Sequence, residues 1–190
     1  MQRSSFLKLL IATSTLSAVS FKGLANRVIR YVDKGFKVSS GKDRFDQPHV
    51  LMEGDTFYTK VSGKDTGGES YIYESSRVKK GGPALHKHYM QDEWWYVLEG
   101  EFLIRVGETT YKVKTGDSVF GPRGVPHTFS KVGEGTARLL ITFQPAGKME
   151  DYFLAVSKGE LAKMTEQQQN EFRISHGFER VGPAIDYLKQ

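Results

Sequence analysis

Four residues of this chain have the right donor atoms and spacing for a transition-metal site: His86, His88, Glu93 and His127. The first three lie in GGPALHKHYMQDEWWYVLEGE, residues 81–101. If His86 and His88 sit on a strand, residues i and i+2 point the same way, so both imidazoles reach one side. On a helix the pair would diverge, because helical ligand pairs use i and i+4. Tyr89 to Asp92 can form a turn, after which Glu93 opens the next strand. A later stretch, Gly116 to His127, reads as a tight turn, a short strand, a Pro/Gly turn and then a lone histidine. In an antiparallel sheet this would bring His127 beside the His86/His88 strand. Three imidazoles and a carboxylate suit a borderline first-row dication and leave positions open for water or substrate. Affinity alone does not choose among iron, manganese, nickel, copper and zinc. The chain has no cysteine, which removes disulfides, thiolate ligands and a cysteine nucleophile, and leaves His, Asp and Glu to hold any metal.

The elements that must position these groups read as short strands. Runs at 56–61, 70–74, 94–98, 102–106, 110–113, 118–120 and 137–143 alternate with Gly, Pro and Asp turns, the pattern of a sandwich or barrel. If Glu93 faces inward, so do Trp95 and Val97, while Trp94 and Tyr96 face away. Gly100, between two β runs, is expected to serve the hairpin that follows. After the β region the period changes. Met149, Tyr152, Phe153 and Val156 fall at helical spacing, and Lys158-Gly159 ends that run. Thr165 and Gln168 resemble a capping box, and Gly177 stands where a helix C-terminus favours a left-handed residue. The tail is therefore expected as two short helices followed by coil.

The ends and the charge bound the rest. A chain of 190 residues suits one compact domain. The N-terminus has a positive start, MQRSSFLK, then LLIATSTLSAV, an apolar run of about 11 residues, too short for a spanning helix. Residues 1–25 are accordingly expected as a signal peptide, either an ordinary secretory one or a twin-arginine leader whose second Arg is replaced by Ser4. This predicts an exported protein, periplasmic or secreted, with no stable membrane anchor after processing. Residues 26–48 are expected as a polar N-terminal arm, 49–146 as the β barrel and 147–190 as a helical extension. The net charge of +5 comes from 27 basic and 22 acidic residues scattered along the chain, which argues against nucleic-acid binding. Lys42, Lys60 and Lys64, with their aspartates, are expected as solvated surface. His49 and His176 are expected to stand outside the site.

The two histidine-bearing stretches resemble the two signature motifs of the cupin superfamily. The first motif's His-x-His, its following Glu and its later Gly are met by His86, His88, Glu93 and Gly100. Its opening Gly falls at Lys80, with Gly81 and Gly82 offset by one or two. The second motif is met by Gly116, Pro122, Gly124 and His127, with Lys131 in place of its final Asn. The resemblance runs from about Gly81 to Phe143. It implies an all-β fold, a double-stranded β-helix or jelly roll, with one divalent metal held by His86, His88, Glu93 and His127 inside the barrel mouth. The leader, the single barrel and the tail also look similar to exported bacterial single-domain cupins described as quercetin 2,3-dioxygenase-like.

Three functional readings follow. The first is a metal-dependent dioxygenase on an aromatic or enol small molecule of the flavonol kind. In that reading Glu93 is ligand and proton acceptor, and Trp95, Phe120, Phe129 and Phe143 are candidates for the substrate pocket. The second is an isomerase or lyase on a sugar or keto acid, which calls for a more polar cavity. The third is a barrel that holds metal or ligand without turnover. A homodimer is also implied by the resemblance.

Overall fold

The computed structural model describes residues 34–51 and 54–186. The leader expected at 1–25 and the first part of the arm lie outside these residues. Among the described residues, eleven strands form two antiparallel sheets: β1 His49–Leu51, β2 Asp55–Val61, β3 Tyr71–Arg77, β4 His86–His88, β5 Asp92–Glu99, β6 Glu101–Val106, β7 Thr109–Lys114, β8 Ser118–Gly121, β9 His127–Lys131, β10 Ala137–Gln144 and β11 Phe178–Arg180. One sheet runs β1-β2-β3-β10-β5-β8 and the other β11-β4-β9-β6-β7. From β3 onward the chain passes repeatedly between the two sheets, as a jelly roll requires. Among the described residues, no helix is long and apolar enough to cross a membrane.

Strand alternation builds the interior. Along β5 the buried positions are Glu93, Trp95 and Val97, as parity predicts, and Trp94 stacks near Tyr96 on the other face with ring centroids 5.9 Å apart. Along β10, Leu139, Ile141 and Phe143 are buried; along β3, Tyr71 and Tyr73 stack on one another and on Phe143. Each large apolar side chain buried this way contributes roughly 1.5–3 kcal/mol.

Three expectations are corrected here. Gly100 does not serve the hairpin; it is the corner at which the chain leaves one sheet for the other. Its φ of +83° and a Cβ that would lie 2.5 Å from the Ala137 Cβ admit only glycine. The tail is not two helices and coil: after helix α1 (Met149–Ser157) and helix α2 (Glu166–Ser175), β11 pairs with β4. Asp43 and Asp65 are not solvated. Asp43 accepts hydrogen bonds from the backbone N–H groups of Phe45 and Thr59, fastening the arm to β2, and Asp65 accepts from the N–H of Ser62. The α2 cap forms as expected: Thr165 and Gln168 make a reciprocal capping box, and Gly177 follows with φ +92°.

Gly82 tests how closely the segment before the histidine strand lies against its neighbour β9, which Gly81 meets in an antiparallel bridge to Lys131. A Cβ there would fall 1.7 Å from the Phe129 carbonyl oxygen, and a backbone atom of a buried strand cannot swing away. Gly82→Ala is expected to destabilise the protein by about 3 kcal/mol, the upper end of the cost of overpacking. Urea denaturation checks this, and a loss under about 0.5 kcal/mol, the usual scale of a surface substitution, would contradict the close approach.

Candidate metal centre

The four side chains converge because three strands bring them together. His86 and His88 alternate with Lys87 on β4 and so share the inner face. His86 is the direct antiparallel partner of His127 on β9. Glu93 enters from the opposite sheet, where β5 pairs Glu93 with Phe143. One donor atom from each of the four lies within 4.8 Å of every other. His88, Glu93 and His127 are buried, and His86 keeps 14% of its side chain exposed.

The hydrogen bonds set the ring tautomers. His86 Nδ1 lies 2.8 Å from the Ala84 carbonyl oxygen, and His127 Nδ1 lies 2.9 Å from that of Val125. A carbonyl only accepts, so each Nδ1 carries the proton and each Nε2 of the neutral ring is a lone pair turned toward the cluster. His127 Nε2 is 3.0 Å from Glu93 Oε2. Two acceptors at that distance require a proton or a cation between them. His88 Nε2 is 3.4 Å from the same oxygen, off the hydrogen-bonding direction, and both its ring nitrogens are buried without a partner. His86 Nε2 is 3.9 Å away. A dication bound by these atoms would satisfy three imidazole lone pairs and one carboxylate oxygen together, so the residues present fit the group.

The protonation states agree with that. Burial, with the neighbouring imidazoles of His127 and His88, pushes His86 from the ordinary 6.5 down to about 3. Burial also pushes His88 down. Burial alone would raise the Glu93 carboxyl, but its interactions with His127 and His88 outweigh it and hold the group well below the usual carboxylate range. Metal binding needs neutral imidazole and ionised carboxylate, and the fold favours both.

A cavity of about 480 Å³ opens onto the cluster, with His86 and Glu93 in its wall. Phe129 and Phe143, two of the four candidate pocket residues, line it. Trp95 and Phe120 do not. Trp95 shares the face of Glu93 but is wholly buried, filling the space that Gly121 leaves by lacking a Cβ and meeting the His127 ring edge-on at 5.2 Å. It packs against His127 and stands outside the cavity lining. Phe120 is 57% exposed because its neighbours Val119 and Gly121 take the inner face of β8. Sequence reading missed the walls given by Phe57 and Tyr73, and those from the extension: Tyr152, Phe153, Val156 and Phe178. The helical apolar stripe of α1 signalled that Tyr152, Phe153 and Val156 are inward, though not what they face. Phe178 had no local signal, yet it pairs with His88 and lies 5.3 Å from its ring. His176 stands apart and caps α2.

Two measurements check this site. Untagged protein is expected to bind one divalent metal ion, and His86→Ala or His127→Ala to lower occupancy to about a tenth or less, by mass-spectrometric metal analysis. In the metal-free protein, the folded His86 binds its proton less readily than the unfolded chain does. Between about pH 6.5 and about pH 3 the unfolded state therefore holds more protons, and stability falls as pH falls. Glu93 acts in the same sense once pH drops through the ordinary 4.5 of a glutamate. Urea midpoints of the metal-free protein should decline on acidification with a slope of up to about 1.4 kcal/mol per pH unit for each such histidine. A flat profile for the parent, or one that His86→Asn leaves equally steep, would contradict the assignment.

Residues 76–143 match the sequence model of the family described as Cupin domain. Among curated proteins, the chain is similar to an uncharacterized protein of Methanocaldococcus jannaschii, with 34% identity over 67 residues, 35% of this chain and 54% of that protein. It is also similar to an uncharacterized protein of Streptomyces coelicolor, with 39% identity over 59 residues, 31% of this chain and 55% of that protein. The chain thus spans about half the length of these two relatives. A third relative, 3-hydroxyanthranilate 3,4-dioxygenase 2 of Aspergillus clavatus, is 21% identical over 146 residues, 75% of this chain and 76% of that protein. Among solved structures, an RmlC-like cupin from Shewanella frigidimarina aligns with a TM-score of 0.48 at 22% identity, covering 63% of this chain and 96% of that one. The matched segment contains all four clustered residues and the three strands, β4, β5 and β9, that carry them.

Proposed function

We propose that this protein is a metal-dependent cupin dioxygenase acting on an aromatic or enolic small molecule, flavonol-like in kind. The observation that carries the reading is the cavity that joins the cluster to a wall of rings: His86 and Glu93 share it with Tyr73, Phe129, Phe143 and Phe178. Pockets of this kind bind planar apolar molecules and orient them with a few polar groups. A divalent transition metal, when bound by His86, His88, Glu93 and His127, supplies a Lewis acid that acidifies a phenol or enol and a template for dioxygen.

The chain's own residues do the rest. Glu93 is held ionised and is the one carboxylate of the cluster, so it accepts the phenol or enol proton; a histidine whose Nε2 is a ligand and whose Nδ1 is protonated offers no free acceptor. The Ala84 and Val125 carbonyls hold the His86 and His127 rings in register. Trp95 packs against His127, and Phe178 against His88, excluding water from the buried side of the cluster. A sugar isomerase would place hydroxyl partners around this cavity, and its lining is mostly apolar, with seven aromatic residues. The similarity to the 3-hydroxyanthranilate dioxygenase of Aspergillus clavatus also supports oxygen chemistry on an aromatic. Reading residues 1–25 as a leader would place this activity outside the cytoplasm.

Dioxygen uptake by protein loaded separately with iron, manganese, nickel or copper tests the reading, with flavonols and ortho-hydroxylated aromatics as substrates. Uptake dependent on both metal and substrate is expected. Glu93→Gln, which keeps an amide oxygen as a ligand, should lower the rate about 10²–10⁴-fold while retaining metal. Metal-loaded parent that takes up no dioxygen with any of these would overturn the dioxygenase reading.

A further inference from the structure

The part of the cavity wall supplied by the C-terminal extension carries a distinct chemical signal. Besides rings, it presents two arginines, Arg173 from α2 and Arg180 from β11. Neither belongs to the segment matched to the cupin domain, which ends at residue 143. The cavity also contains Arg77, but Arg77 is buried in an ion pair with Asp55, whose other carboxylate oxygen accepts from Ser75. That end of the cavity is therefore close to neutral. The extension end is not. Arg173 gives hydrogen bonds to the neutral side-chain amides of Asn170 and Gln169 and lies beside the neutral Tyr152 hydroxyl, and Arg180 gives its bond to the Gly182 carbonyl. Neither forms an ion pair with a described carboxylate.

The register places one of these charges beside the metal ligands. Arg180 is the cross-strand partner of His86, and Phe178 is the partner of His88. Residues two apart share a face, so Arg180 continues the inner face on which Phe178 covers His88, with its guanidinium toward solvent at the mouth. Between them, on the outer face, Glu179 pairs with Lys87 at 2.9 Å. On the outer face the cation is matched by an acid within the fold, whereas on the inner face it is left for something that enters.

We infer that Arg173 and Arg180 form an anion subsite for the substrate, which is an aromatic or enolic molecule bearing a carboxylate next to its hydroxyl. The inference rests on the proposed function for the hydroxyl, and it specifies the group beside it. The hydroxyl oxygen is directed to the cluster at His86 and Glu93, the ring lies among Phe129, Phe143 and Phe178, and the adjacent carboxylate turns to the guanidinium groups on the side where Arg180 pairs with His86. Arginine suits this role because its planar donor fork matches both carboxylate oxygens. Sequence reading gave no sign of it, since the two arginines are far along the chain from the histidine motifs: the pairing of β11 with β4 brings Arg180 beside His86, and α2 brings Arg173 to the cavity wall.

Binding to the zinc-loaded protein tests this without turnover, because zinc is redox-inert. Salicylate and its uncharged amide, salicylamide, have nearly the same shape and the same phenol. By calorimetry, salicylate is expected to bind at least about tenfold more tightly, the size of one charge-assisted hydrogen bond. The preference should shrink at high salt. The double variant Arg173→Gln/Arg180→Gln should lose the preference and keep both its zinc and its affinity for salicylamide. The double replacement by lysine, which keeps the charge and loses the fork, should retain part of the preference. Equal affinity for the two probes, or a preference that survives the glutamine variant, would overturn the anion subsite and leave the proposed function standing. If neither probe binds zinc-loaded protein, the carboxylate-bearing substrate is overturned, and the dioxygen-uptake assay with flavonols decides the proposed function independently.

Discussion

Everything around the cavity depends on a concentration of lone pairs. Three imidazole Nε2 atoms and one carboxylate oxygen point at a common space, two of them as close as 3.0 Å, inside a barrel that has removed water from most of them. Such an arrangement repels itself unless a positive charge is shared among the donors. The fold holds it in place by other means. Backbone carbonyls take the outer N–H of His86 and His127, Trp95 and Phe178 press on the rings from either side, and antiparallel pairing locks His86 against His127. These contacts keep the four donors convergent without relying on their attraction for one another.

The same constraint explains the apolar environment. A buried carboxylate is tolerable where it is hydrogen-bonded or shared with a cation, and Glu93 has only the cluster to serve it. The aromatic walls keep water from competing for that role. They also give a planar guest a surface to lie on. The site and the cavity are thus one object, in which the rings that make the donors strong also define what can approach them.

The extension changes the character of this object. The residues matched to the cupin domain contain the donors and one part of the wall. The residues after 143 supply α1 across the cavity, the cationic pair from α2 and β11, and an edge strand that buttresses His86 and His88. Two proteins with the same cluster and different tails would therefore present different mouths. In a fold that hosts many activities, selectivity is decided by such additions.

Much of this was legible along the chain. The identity of the four donors, the shared face of His86 and His88, the parity of Glu93, Trp95 and Val97, the cap at Thr165 and the stripe of α1 all follow from local chemistry with periods of 2 and 3.6 residues. Local period tells which side chains share a face, but not what that face looks onto. Trp95 lies on the face of Glu93 and is core because Gly121, on β8, makes room for its ring. Phe120 points outward because β8 turns Val119 and Gly121 in. Gly100 is a corner because the strands before and after it pair with different partners. Phe178 and Arg180 have no local pattern at all, and they reach the site only because a three-residue strand finds the free edge of β4. Residue type and spacing therefore determined the donors and the elements that hold them. Long-range strand pairing, which depends on distant segments meeting, decided the walls, the mouth and its charge.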